Sequence, residues 1–228
     1  MKLGILFILG GIALFSLSLS WNGMAGQSFM GVGGVGLLLV GMAYLRRWPG
    51  VLGKRRGGQL MASSYFLFWP YHLLNWTTFS IFRWITRENP FDEVAPGLFV
   101  GGRLLSGDEA RFKERGILSV LDLTAEFSEV HFLRSSASYL CIPLLDRSDP
   151  TMGELNMGVD YIIQRLSSGS VYVHCALGHG RSATFAAAYL LREARAGSPG
   201  AAVEMMRQKR PGIRPSEGQM RALAEFCK

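Results

Sequence analysis

The apolar run Val171-Tyr172-Val173-His174 leads into Cys175, five residues follow, and then come Arg181 and Ser182. A cysteine thiolate is a nucleophile, and a guanidinium is a planar fork that matches two oxygens of a phosphoryl group. Between them, Ala176, Leu177, Gly178, His179 and Gly180 form a loop. Its two glycines let the backbone curl with its N–H groups inward. With the N-terminus of a helix opening at Ser182, these donors make a nest for one tetrahedral anion. The same positive field favours the thiolate of Cys175. Ser182 can donate a hydrogen bond to the sulfur and help it leave in a second step. His174 is expected to support the loop by hydrogen bonding, outside the chemistry. The arrangement implies hydrolysis of a phosphate ester through cysteinyl-phosphate.

An ester oxygen leaving phosphorus needs a proton, so a carboxylic acid must come from another part of the chain. Cys141-Ile-Pro-Leu-Leu-Asp146-Arg-Ser-Asp149 offers two candidates. Asp146 stands directly at a strand end and is expected to be the general acid, and then the base that activates water. Asp149 is the reserve, with an alternative role as a cap before the next helix.

Alternating elements must position these groups. Gly97–Gly102 reads as a first strand, and Ser106 as the cap of a helix over Asp108–Arg115, ended by Gly116. Ile117–Leu123 and Ser138–Leu145 read as buried strands. Thr151-Met-Gly-Glu154 is a capping box opening a helix to about Leu166. Ser170–His174 is the next strand, followed by helices over Ser182–Arg195, Pro199–Arg210 and from Ser216 to near Cys227. This order predicts an α/β domain over residues 91–228, with a mostly parallel central sheet flanked by helices and the loop at a strand's carboxyl end.

The first third of the 228 residues has another character, and a mean hydropathy of +0.20 reflects it. Leu3–Leu19 and Phe29–Leu45 are apolar runs near bilayer length, joined by the uncharged Ser20-Trp-Asn-Gly23. No small-x-small cleavage site precedes a soluble domain, so a two-helix membrane hairpin is favoured over a signal peptide. Residues 1–60 are thus expected to hold two spans and a basic segment. Arg46, Arg47, Lys54, Arg55 and Arg56 follow the second span, whereas the connecting turn has no cation. The positive-inside rule then puts both ends of the hairpin, and the catalytic domain, on the cytoplasmic side. Residues 61–90 carry an aromatic stretch interrupted by Pro70, read as an interfacial or re-entrant helix in preference to a third span.

The net charge of +7 admits anionic lipid or phosphorylated partners, and no nucleic-acid signature is present. Cys141, Cys175 and Cys227 are too few and too far apart for a disulfide framework, which suits a reducing compartment. Cys141 is read as a buried strand residue, with a redox partnership to Cys175 as the less favoured reading. The four histidines are not grouped for a metal site.

His174-Cys175-x-x-Gly178-x-Gly180-Arg181-Ser182, with an aspartate upstream after a strand, resembles the dual-specificity branch of the protein tyrosine phosphatase superfamily. The resemblance extends from about Phe91 to the C-terminus and includes Pro96–Gly101, Val120–Leu123 and Arg210-Pro-Gly-Ile-Arg-Pro215. It implies a cysteinyl-phosphate intermediate, a shallow pocket and no cofactor or metal. Family members specialised for phosphoinositides usually carry lysines inside this loop, whereas here the side chains are Ala176, Leu177 and His179. The leading expectation is a membrane-anchored phosphatase of phosphotyrosine, phosphoserine or phosphothreonine proteins. A phospholipid-headgroup phosphatase, with a phosphatidylglycerophosphate-like substrate, is the alternative. A non-catalytic phospho-binding module is the third reading, disfavoured because nucleophile, arginine, serine and acid are all present. The expected partners are a phosphorylated protein or phospholipid and membrane lipids, and the sequence leaves the oligomeric state open.

Overall fold

A computed structural model describes residues 2–228. The chain divides into two compact units. The first holds the chain up to Arg55, with Gln59–Arg87 and Ala125–Phe127; the second holds Arg56–Gly58, Glu88–Thr124 and Ser128–Lys228.

In the first unit, α1 (Lys2–Leu19) and α2 (Met24–Arg46) form an antiparallel pair joined by a short turn. Among the described residues, these two helices are long and apolar enough to cross a membrane. Glycines bring them together: a Cβ on Gly11 would lie 2.9 Å from the Gly34 carbonyl oxygen. Small residues of this kind let helix backbones approach closely. The aromatic stretch is two helices, α3 (Ala62–Leu67) and α4 (Trp69–Thr86), broken at Phe68. Pro70 sits in the first turn of α4, where its missing N–H costs no hydrogen bond.

The second unit is an α/β domain built on one five-stranded sheet. Its elements, in order, are β1 (Phe91–Ala95), β2 (Leu98–Gly101), α5 (Glu109–Glu114), β3 (Ile117–Thr124), α6 (His131–Arg134), β4 (Ser138–Leu144), α7 (Met152–Leu166), β5 (Ser170–His174), α8 (Arg181–Arg192), α9 (Pro199–Arg207) and α10 (Glu217–Phe226). The sheet order is β1-β2-β5-β3-β4, parallel throughout except for the β1–β2 hairpin at one edge. Thus β5, the strand that delivers Cys175, lies at the centre, with a strand on each side.

Both faces of β5 are buried, as its apolar run predicts. Val171, Val173 and Cys175 join the larger core with α7 to α10, whereas Tyr172 joins a second core with Phe91, Phe112 and Leu133 on the other face. The Thr151–Glu154 capping box opens α7 as expected, with both reciprocal hydrogen bonds present. Ser106 is not the cap of α5. The Asp108 carboxylate accepts from the Leu105 N–H, and Ser106 lies inside the 3-10 turn Ser106–Asp108 that precedes α5.

Candidate active site

Past β5 the chain turns through residues 175–180 into α8, and the carbonyls show which way the loop faces. The carbonyl of Ala176 accepts from Arg103 N at 2.9 Å, and that of Leu177 from Arg210 Nη2 at 3.0 Å. Gly178 accepts from Arg210 Nε at 3.1 Å, His179 from Arg214 N at 2.8 Å, and Gly180 from Thr184 N at 2.9 Å. Every one of these oxygens is held from outside the loop. The N–H of each following residue points opposite to its carbonyl across a trans peptide plane. The N–H groups of residues 177–181 therefore converge on the side of the sulfur, and Gly178 N already donates to Cys175 Sγ at 3.3 Å.

The two loop glycines do different work. Gly178 has φ +78°, and a Cβ there would lie 2.3 Å from the carbonyl carbon of Gly101 in the neighbouring strand. Gly180 has an ordinary φ of −109°, and its Cβ would meet only the Gln219 side chain, at 3.0 Å. The curl thus depends on the first glycine.

Cys175 is buried at the floor of an open cavity of about 410 Å³. Its sulfur lies 3.4 Å from Ser182 Oγ. Arg181 is buried as well, and its Nη1 donates to the carbonyls of Leu144 at 2.7 Å and Leu123 at 3.3 Å. These bonds come from the carboxyl ends of β4 and β3 and fix the plane of the guanidinium. Its Nη2 donates to Asp146 Oδ1 at 3.1 Å. Asp146 lines the cavity with Cys175 and Arg181 and is half-exposed, so its carboxyl group can exchange protons with solvent. Asp149 is turned away, against Gly218 at the start of α10. Gln219 Nε2 donates to the Ser148 carbonyl at 3.0 Å and ties the acid-bearing loop to α10.

The arrangement can bind a dianionic phosphoryl group, attack it with sulfur and protonate the leaving oxygen. The catalytic-domain model described as "Dual specificity phosphatase, catalytic domain" matches residues 98–228. The chain belongs to the dual-specificity phosphatase family. It is a cysteine-based phosphatase, and its relatives fall in two groups. Phosphatidylglycerophosphate phosphatase PTPMT2 of Arabidopsis thaliana is 27% identical over 184 residues, covering 77% of this chain and 78% of that one. Dual specificity protein phosphatase 1B of Arabidopsis thaliana is 29% identical over 140 residues, covering 60% of this chain and 81% of that one. Among solved structures, PTPMT1 in complex with PI(5)P superimposes with a TM-score of 0.56 at 23% identity, covering 61% of this chain and 95% of that chain, a likeness of fold.

Within this member of the dual-specificity phosphatase family, two features depart from what the sequence suggests. His174 makes no hydrogen bond to the loop: neither ring nitrogen has a hydrogen-bond partner, and the ring stacks on Tyr172 at 5.2 Å on the face of the sheet away from the sulfur. Successive strand residues point to opposite faces, which separates His174 from Cys175. The same alternation separates the cysteines. Cys141 is paired with Asp122, and Asp122 with His174, so Cys141 stands two strand spacings, roughly 9–10 Å, from β5. That is beyond disulfide reach of the nucleophile; Cys141 is a strand residue, but half-buried where the sequence reading expects it buried, with its Sγ 3.8 Å from Asp122 Oδ2.

The second departure is Arg210, which the sequence shows only as part of an Arg-Pro-Gly turn. Its buried guanidinium holds two loop carbonyls and is itself held by Asp92 Oδ2 at 2.8 Å and the Asn89 carbonyl at 2.9 Å. His179 also turns outward, with Nε2 2.7 Å from Glu88 Oε2. Arg147 and Arg214, not singled out by sequence, line the cavity mouth.

Proposed function

We propose that this phosphatase hydrolyses the phosphomonoester of a phospholipid headgroup of the phosphatidylglycerophosphate type, anchored to the membrane by the α1–α2 hairpin. The observation that carries this reading is the cavity lining. Arg147 and Arg214 stand with Arg181 around Cys175, and the apolar side chains are Leu177 and Pro215, with no Phe, Tyr or Trp among the described lining residues. A phosphomonoester a few atoms from a phosphodiester would use the extra arginines, whereas a phosphotyrosine ring gains most from an aromatic or apolar slot. The PTPMT2 relative supports the same class. This reverses the order suggested by the sequence, where protein substrates lead. Protein substrates remain the second reading, favoured by the open cavity and the relative named as a dual specificity protein phosphatase.

In the mechanism, Cys175 thiolate attacks phosphorus while the inward N–H groups and Arg181 hold the equatorial oxygens. The S–P bond forms as the P–O bond to the alcohol breaks, and Asp146 gives its proton to the leaving oxygen. Water then attacks cysteinyl-phosphate, Asp146 takes its proton, and sulfur leaves as a thiolate steadied by Ser182. The basic residues after α2 support a cytoplasmic side for the hairpin ends and the catalytic domain, and tethering of this kind would raise the concentration of lipid substrate at the cavity.

The test compares phosphate release by the detergent-purified full chain from vesicles containing phosphatidylglycerophosphate and from phosphotyrosine peptides. The lipid reading expects kcat/KM for the vesicles to exceed that for the peptides by more than about tenfold, with Cys175→Ser as the blank. Peptides turned over while vesicles stay intact would transfer the assignment to protein substrates.

A further inference from the structure

Behind the nucleophile, on the opposite face of the sheet, three chemistry-bearing side chains meet with no part in the reaction above. Asp122 lies in β3, His174 closes β5, and Glu129 lies between β3 and α6. All three are buried, with Asp122 and His174 at 0% exposure and Glu129 at 4%. His174 Nε2 is 3.4 Å from Glu129 Oε2 and 3.7 Å from Asp122 Oδ1, yet neither of its ring nitrogens makes a hydrogen bond.

An imidazole buried without hydrogen bonds carries a desolvation cost that the two nearby carboxylates, at 3.4 and 3.7 Å, offset only in part. The separations suggest a different partner. Two ligand atoms about 2.1 Å from one ion, at tetrahedral angles, stand roughly 3.4 Å apart. One potential ligand atom from each of the three residues falls within 4.8 Å of the others. The orientation of Asp122 is already set, because its Oδ1 accepts from Thr124 N and Thr124 Oγ1, both at 2.8 Å, and its Oδ2 from Tyr139 Oη at 2.5 Å. Outer hydrogen bonds to a carboxylate are the usual support of a metal ligand.

We propose that Asp122, Glu129 and His174 form a binding site for one divalent transition-metal cation of the Zn²⁺ class, with one nitrogen and two carboxylate ligands and a fourth position for water. Imidazole with carboxylates suits this class better than Mg²⁺ or Ca²⁺, which take oxygen ligands. The site is separate from the phosphoryl chemistry. Its ligands come from two adjacent strands and the following segment, and one of them directly precedes Cys175. A bound ion would thus cross-link the base of the catalytic loop and stabilise the folded domain by mass action.

The experiment uses the full chain carrying Cys175→Ser, which removes the thiolate as a competing ligand. Zn²⁺ binding is measured by equilibrium dialysis and by the shift of the thermal midpoint, and Co²⁺ serves as a spectroscopic probe. The site predicts one Zn²⁺ per chain, a raised midpoint, and a visible Co²⁺ band of nitrogen–oxygen character without a thiolate charge-transfer band. Adding Glu129→Gln should weaken Zn²⁺ binding by more than about tenfold and remove the midpoint shift, whereas adding Cys227→Ser, at an exposed cysteine outside the cluster, should change neither. The Co²⁺ spectrum needs no ligand variant and decides the matter if Glu129→Gln does not fold. No bound equivalent, equal affinity with and without Glu129→Gln, or a thiolate band lost in Cys141→Ser would overturn the proposal.

Discussion

Gly178→Ala and Gly180→Ala, made side by side, test whether the catalytic loop is shaped as described. At Gly178 the backbone is left-handed, which costs a residue with a Cβ about 1–2 kcal/mol. The new methyl would also stand 2.3 Å from the Gly101 carbonyl carbon and 2.6 Å from Gly102 N, backbone atoms of the adjoining β2 and its continuation. Neither can move without opening the sheet, so overpacking adds about 1–3 kcal/mol. A total loss of about 2–5 kcal/mol is a large share of the roughly 5–15 kcal/mol that holds a domain folded. It corresponds to a fall in thermal midpoint of about 4–20 °C for a chain of this size. At Gly180 the backbone is ordinary and the obstacle is the end of the Gln219 side chain, so the cost stays below about 1 kcal/mol. The assay is thermal unfolding of the detergent-solubilised chain, with hydrolysis of an aryl phosphate measured in parallel. Equal midpoints for the two variants, or a Gly178→Ala chain with parental stability and turnover, would refute the reasoning.

Asp146→Ala should lower kcat for an alkyl phosphate by about 10²–10⁴-fold and that for an activated aryl phosphate much less, because only the alkoxide needs a proton to leave. Its stability should change by less than about 1 kcal/mol, since the ion pair with Arg181 involves a half-exposed carboxylate. Arg210→Ala should cost about 3–5 kcal/mol by leaving Asp92 and the carbonyls of Leu177, Gly178 and Asn89 without their donor, and Arg210→Lys should recover only part, because one ammonium cannot span both loop carbonyls. Both are read by thermal melts. Burial raises the Tyr172 hydroxyl well above its ordinary pKa of 10.0, and burial together with Asp122 raises that of Tyr139. Both stay protonated in the folded state while the unfolded chain ionises, so their contribution is complete below pH about 10 and is lost as pH rises beyond it. Denaturant midpoints between pH 8 and 11 should fall above pH 10, and Tyr172→Phe should flatten that slope.

Much of this was legible in residues that act locally. Thr151 and Glu154 announce the start of α7 because a capping box needs only four residues in a row. The run into Cys175 announces a central strand because both of its faces are apolar, and the Cys175–Ser182 spacing fixes a loop between strand and helix. What stayed hidden depends on pairing across the chain. Arg210 meets Asp92 over 118 residues, and no local pattern joins an Arg-Pro turn to the first strand. His174 faces Asp122 through the register of β3 against β5, so its expected role at the loop gave way to a cluster on the opposite face. The strand at Phe91–Ala95 has no apolar run to mark it in the sequence, because Asp92 and Glu93 occupy a sheet edge, where charge is tolerated. Asp146 and Asp149 could be ranked from strand position alone, since the residue closest to the end of β4 is the one delivered to the cavity.

The central claim is that phosphate passes through the sulfur of Cys175. Rapid quenching of the Asp146→Ala chain with a ³²P-labelled aryl phosphate tests it most directly, because formation of the intermediate then needs no acid while its hydrolysis is slowed. The account predicts radiolabel that survives alkaline denaturation and is lost in mild acid, as a cysteinyl-phosphate is, in the peptide containing Cys175, and absent from the Cys175→Ser, Asp146→Ala chain. Label on another residue, or turnover that persists in Cys175→Ser, would contradict it.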